Sequence, residues 1–170
     1  MKAPFPYLLL AGLLAGCATT LPVPPALAPP ATEALAMIVP AKGVQIYECR
    51  AKKDSGGYEW AFVAPEAQLS DRTGRAIGTH GAGPSWQASD GSRVVGTVKQ
   101  RADAPTAGAI PWLLLAAKSD GPPGAFSKVT SIQRVNTVGG VAPETGCGAT
   151  TNGTKTRVAY TADYYFFQVN

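Results

Sequence analysis

Turn-forming residues break this chain about every ten positions from Lys53 onward, which leaves no room for long helices. Lys53-Asp54-Ser55-Gly56-Gly57, Asp71-Arg72-Thr73-Gly74, Asp90-Gly91, Gly121-Pro122-Pro123-Gly124, Gly139-Gly140 and Asn152-Gly153 are the breaks. Glycine accepts positive φ, proline presets φ, and Asp and Asn bond their own backbone in turns. Between the breaks lie strand-like runs at 44–49, 58–63 (ended by Pro65), 76–79, 85–89, 93–98, 110–117, 129–135 and 158–169. Asp90-Gly91 and Asn152-Gly153, flanked by such runs, carry the signature of two-residue hairpins. Residues 110–117 are apolar throughout, which suits a strand buried on both faces, although periodicity leaves a short helix open there. The expected fold is all-β: an antiparallel β-sandwich or small barrel of about eight strands. At most a short N-terminal helix is expected, over residues 33–39, with Thr32 as cap and Pro40 as stop.

The start of the chain carries an address. An apolar run at 7–14 follows one positive charge, Lys2, and closes on Leu14-Ala15-Gly16-Cys17. That is the layout of a secretory signal ending in a lipobox, with Cys17 as the lipidated (palmitate-bearing) first residue of the mature protein. A spanning helix needs about 20 apolar residues, and this run breaks at Gly16 and gives way to prolines. Several acyl chains on one cysteine anchor stably where a single chain does not. Ala18, in place of an Asp, points to the outer membrane of a bacterial envelope. Residues 18–32 hold five prolines and no charge, and polyproline geometry would extend such a tether to about 45 Å. The expected organisation is a signal at 1–16, a lipidated Cys and Pro-rich tether at 17–38, and one all-β domain at 39–170.

Cysteine usage agrees with export. Of three cysteines, lipidation takes Cys17 and leaves Cys49 and Cys147. In an oxidising compartment these two are expected to form a disulfide; free or metal-binding thiols are the alternative. Removing the leader with Lys2 leaves 14 Lys and Arg against 11 Asp and Glu, and only Arg50, Lys52 and Lys53 cluster. No basic stripe of the kind that tracks nucleic acid is present, so no nucleic-acid partner is expected.

Five segments together resemble a known family. They are Gly43-Val44-Gln45-Ile46-Tyr47-Glu48-Cys49; His80-Gly81-Ala82-Gly83-Pro84-Ser85-Trp86 followed by Asp90-Gly91-Ser92; Ile110-Pro111-Trp112-Leu113-Leu114-Leu115; Gln133-Arg134-Val135-Asn136-Thr137 with Gly139-Gly140; and Tyr160-Thr161-Ala162-Asp163-Tyr164-Tyr165-Phe166. The set resembles the uncharacterised domain-of-unknown-function family numbered three-four-five-five, over nearly all of 39–167. The resemblance implies a shared fold in secreted or lipid-anchored bacterial proteins and secreted fungal proteins, and no established activity. Some fungal relatives carry a malate dehydrogenase label. This chain gives that label no support, because it lacks G-x-G-x-x-G between a strand and a helix.

Candidate chemistry centres on His80, the only histidine. As a base it needs a carboxylate, with Asp71 and Asp90 nearest in sequence; as a metal ligand it needs two or three further donors that the chain does not readily supply. As a structural residue it would bond backbone near the glycines around it. No nucleophile elbow, H-E-x-x-H or P-loop is present, and no cofactor or metal is expected. Trp60, Trp86 and Trp112 suit the core, with Trp86 the best candidate for a ligand platform. Arg134 and Asn136 share a face by the two-residue period of a strand. Asp163, between aromatics, needs a partner such as Arg134 or Arg157 if buried.

Three readings follow. A lipid-anchored binding module would gather His80, Trp86, Asp90, Arg134 and Asn136 around a pocket for a small molecule or envelope polymer. A small extracytoplasmic enzyme would bring His80 against Asp90 in a cleft. A structural or interaction lipoprotein would scatter all five. The oligomeric state is left open.

Overall fold

A computed structural model describes residues 22–54 and 56–170. The signal segment, Cys17 and the first part of the tether lie outside the described residues. Eight strands follow one another: β1 (Glu33–Ala51), β2 (Tyr58–Ser70), β3 (Ala76–Gly81), β4 (Ser85–Ala88), β5 (Arg93–Ala102), β6 (Trp112–Ser119), β7 (Ser131–Gly139) and β8 (Lys155–Val169). Each pairs antiparallel with the next, and β8 pairs back onto β1 from Val169 against Glu33 to Lys155 against Glu48, closing an up-and-down barrel. The β1–β8 pairing joins the first and last strands, whose facing donors and acceptors would otherwise be left to water.

Two expectations are corrected at the N-terminal side. Residues 33–39 are strand and not helical turns, and β1 runs through Pro40. β2 likewise runs through Pro65. Both prolines sit where one neighbour runs out: β2 pairs with β1 only from Ala41, and β3 pairs with β2 only from Ala67. A missing N–H on the unpaired side of a strand costs no ladder bond. The domain also starts before residue 39. Leu27 is fully buried in a single 3-10 turn (Pro25–Leu27), against Trp112 and Val135 on the outside of the barrel. Gln133 Nε2 donates to Leu27 O at 2.6 Å, so this part of the expected tether is a strap laid over β5, β6 and β7. That cover explains why β6 is apolar on both faces.

The alternation of each strand divides the interior. At the end where β1 begins and β8 finishes, Val39, Leu69, Val94, Phe126, Ile132 and Phe166 are fully buried and pack the barrel interior. Asp90 and Ser92 pin this closed end. Asp90 accepts from Ser92 N (2.9 Å), Ser92 Oγ (2.6 Å) and Ala125 N (2.8 Å), and Ser92 Oγ accepts from Phe126 N (3.0 Å). The loop between β6 and β7 is thereby folded under the barrel with Phe126 as its plug, its ring edge-on to Phe166 at 4.9 Å. Gly124 is required there, since a Cβ would lie 2.5 Å from the Asp90 carboxylate. At the opposite end, Cys49 in β1 and Cys147 in the β7–β8 loop form the expected disulfide, with Cα atoms 5.3 Å apart. Trp60 Nε1 donates to Thr145 O (2.9 Å) and holds the same loop.

Candidate functional site

The barrel is incomplete on one side. β3 and β4 form a short hairpin that pairs β2 only over 67–70 and β5 only over 93–95. Above it, the remainder of β2 and β5 face each other without a strand between them. The gap opens into a cavity of about 570 Å³ whose walls include Phe62 and Pro65 of β2, Val98 and Arg101 of β5, and Gly83-Pro84 at the hairpin tip. Phe62 and Val98, at 53% and 50% exposure, form an apolar rim. An eight-stranded barrel has room for side chains or for one small ligand, and here the closed end holds the first and the gapped end leaves space for the second.

Trp86 and His80 form the floor. Their rings stack at 4.4 Å and 13°, and Tyr164 meets both edge-on at 5.0 and 5.3 Å. Gly96 makes room for the indole: a Cβ there would sit 2.8 Å from Trp86. His80 is 3% exposed, and its Nδ1 bonds Ser85 O at 2.8 Å. A carbonyl only accepts, so Nδ1 carries the hydrogen and Nε2 keeps a lone pair. Burial lowers the His80 pKa to about 4, with the charge of Arg134 adding to the effect against the Ser85 bond. The ring is neutral at physiological pH.

Arg134 enters from β7. Its Nε and Nη2 donate to Pro111 O at 3.0 and 2.8 Å, tying the β5–β6 loop to the cavity wall. Burial lowers its pKa, yet no carboxylate stands within 4.0 Å of it among the described residues. Gln45 lies opposite on β1, 2% exposed, with a buried Nε2 that has no acceptor within 3.5 Å and the Tyr160 hydroxyl beside its side chain. The Tyr164 hydroxyl is pushed well up by burial and stays protonated.

Of the five residues expected around a pocket, three converge and two do not. His80, Trp86 and Arg134 line the cavity. Asp90 is at the closed end, occupied by Ser92 and Ala125, and does not meet His80. Asn136 does not follow Arg134 inward, because β7 bulges against β8 between Val135 and Val138 and Asn136 takes φ 51°. Asn is one of the few residues that tolerates this region. Its Nδ2 donates to Asp163 Oδ2 at 2.9 Å, so Asn136 and not Arg134 or Arg157 is the partner of Asp163. Arg157 pairs with Glu66 instead. Trp112 is core beneath the strap. Gln45, Arg101 and Tyr164 were not singled out from sequence. The signal for Gln45 was a polar side chain in step with inward Val39 and Ala41, two residues apart along β1.

No carboxylate, serine or cysteine lines the cavity. Among the described residues, no three His, Cys, Asp or Glu side chains gather as metal donors. The polar groups present can orient and bond a bound molecule.

The fold and cavity define a small gapped β-barrel. Residues 30–168 match the family described as "Protein of unknown function (DUF3455)", and the chain belongs to it. No curated protein and no solved structure matches the chain.

Proposed function

We propose that this protein is a lipid-anchored binding module of the cell envelope that takes a small, largely apolar molecule through the gap between β2 and β5. The carrying observation is the cavity of about 570 Å³, within the usual size of small-molecule sites of roughly 300–1,000 Å³. Its walls join an exposed apolar rim, and apolar surface of that kind adjoining a cavity marks a binding mouth. Support for the anchor comes from Leu14-Ala15-Gly16-Cys17 and Ala18, which favour the outer membrane. The disulfide suits an oxidising compartment.

Calorimetry of the full acylated chain in lipid nanodiscs, titrated with 2-naphthamide, tests the cavity. Saturable one-to-one binding that Leu113→Trp abolishes by filling the space is the expected result. An unsaturable, variant-independent signal counts against it. For the anchor, Cys17→Ser should move the protein out of the membrane fraction.

A further inference from the structure

Arg50, Arg75, Arg93 and Arg157 each hold a carboxylate at the surface. Arg134, inside, holds none. Its guanidinium has five donors; two of its nitrogens share Pro111 O, and the Tyr164 hydroxyl beside it is a second, uncharged partner. A cation withdrawn from water without a counterion is costly, and the usual remedy is a partner charge. The protein supplies none nearby: no Asp or Glu lines the cavity, Arg101 adds a second positive charge to the same wall, and His80 and Tyr164 are neutral. Gln45 Nε2 is a further buried donor with no acceptor within 3.5 Å, the uncharged Tyr160 hydroxyl standing beside its side chain. Both a cation without a countercharge and an underbonded amide thus face a space whose other walls include Trp86, Leu113 and Leu115.

We infer that the ligand is a small organic anion: a carboxylate or equivalent acceptor group, on an apolar or aromatic body, that pairs with Arg134 while the body lies against Trp86. This rests on the binding reading above and adds the charge class. A guanidinium presents parallel donors to two oxygens of one carboxylate, and such charge-assisted bonds are the strong ones. Binding would supply the countercharge that the fold withholds.

The test compares 2-naphthoate with 2-naphthamide, which share a body and differ in charge. On the wild-type chain in nanodiscs of zwitterionic lipid, the anion should bind about tenfold or more tighter. Arg134→Gln should bring the two within about threefold of each other by weakening naphthoate far more than naphthamide, and Arg134→Lys should restore part of the preference. Arg134 also steadies the β5–β6 loop, so a wild-type measurement stands beside the variants. The arginine Nε–H resonance assigned to Arg134 should shift with naphthoate and stay still with naphthamide. Equal affinity of the two probes on the wild type would overturn the anion inference and leave the cavity reading intact. Failure of both to bind would remove that reading and the inference with it. A preference that survives Arg134→Gln, with an unmoved Arg134 resonance, would overturn the assignment of the charge partner.

Discussion

Below pH 6.5 an unfolded chain protonates its one histidine, whereas the folded barrel resists down to about pH 4, because the His80 ring has left water for a stack against Trp86. The sign follows from which state takes the proton. Above 6.5 both states are neutral and burial of His80 carries no charge penalty. Between 6.5 and about 4 the unfolded state gains a proton that the folded state refuses, so stability falls. The accumulated loss is roughly 3 kcal/mol and then levels off. Asp71 acts in a lower window. Thr73 and Arg75 hold it at about 2, so its contribution is present above 3.8 and is lost as pH falls through 2. Urea unfolding at pH 7 and pH 5 should therefore show a drop in the wild type that His80→Phe abolishes. A wild-type stability flat over that interval would show that His80 is not held neutral.

The β7–β8 loop returns to the barrel through Cys147, which joins Cys49 across 98 positions of chain. Closing a loop of that order removes about 4.7 kcal/mol of unfolded-state freedom in the chain-entropy picture, and measured gains usually lie nearer 2–4 kcal/mol. Reduction, or Cys147→Ser, should lower stability by about that smaller amount. Differential scanning calorimetry with and without reductant checks this, and an unchanged melting temperature would mean that Trp60 and the Cys49 backbone hold the loop unaided. This bridge was legible from cysteine arithmetic, and the strands were legible from Asp90-Gly91 and the other turns, but Asn152-Gly153 is no two-residue hairpin: it ends the long connection 140–154 between β7 and β8, and Gly153 N donates to Cys49 O. The extents of β1 and β2 were not. Proline reads locally as a stop, and whether Pro40 and Pro65 interrupt a ladder depends on where the neighbouring strand ends, which is a tertiary fact. Arg134 and Asn136 show the same limit. The two-residue period puts them on one face, and a bulge one residue later parts them. Asp90, ten positions after His80, lies at the other end of the barrel, because β3 carries His80 toward the gapped end and β4 alone runs back to the closed end before Asp90.

On the lipid-anchored reading proposed above, the strap sets how far the barrel can stand from a membrane. Read as free chain, residues 18–32 span about 45 Å; with Val23 onward packed on the barrel, only 18–22 remain, a reach of at most about 18 Å. If Cys17 carries the lipid, the barrel rides close to the headgroups, and its distance is set by whether Leu27 stays docked. Leu27 is fully buried with Trp112 and Val135, and its carbonyl takes the Gln133 amide. Leu27→Asp places a charge in that apolar seat and leaves the rest of the ring untouched, so the strap should peel while the barrel survives. Truncating a buried leucine generally costs about 2–5 kcal/mol, and a carboxylate in the same place is worse than a methyl. Neutron reflectometry on supported bilayers should find the wild-type protein layer beginning within about 18 Å of the headgroups and the Leu27→Asp layer displaced outward by tens of ångströms. Circular dichroism of the variant should keep the β signal. A wild-type layer already standing about 45 Å away would mean that the strap is undocked at the membrane. An unfolded variant would mean that the strap is part of what holds the barrel closed, and β6, with both faces apolar, is the strand that would lose its cover first.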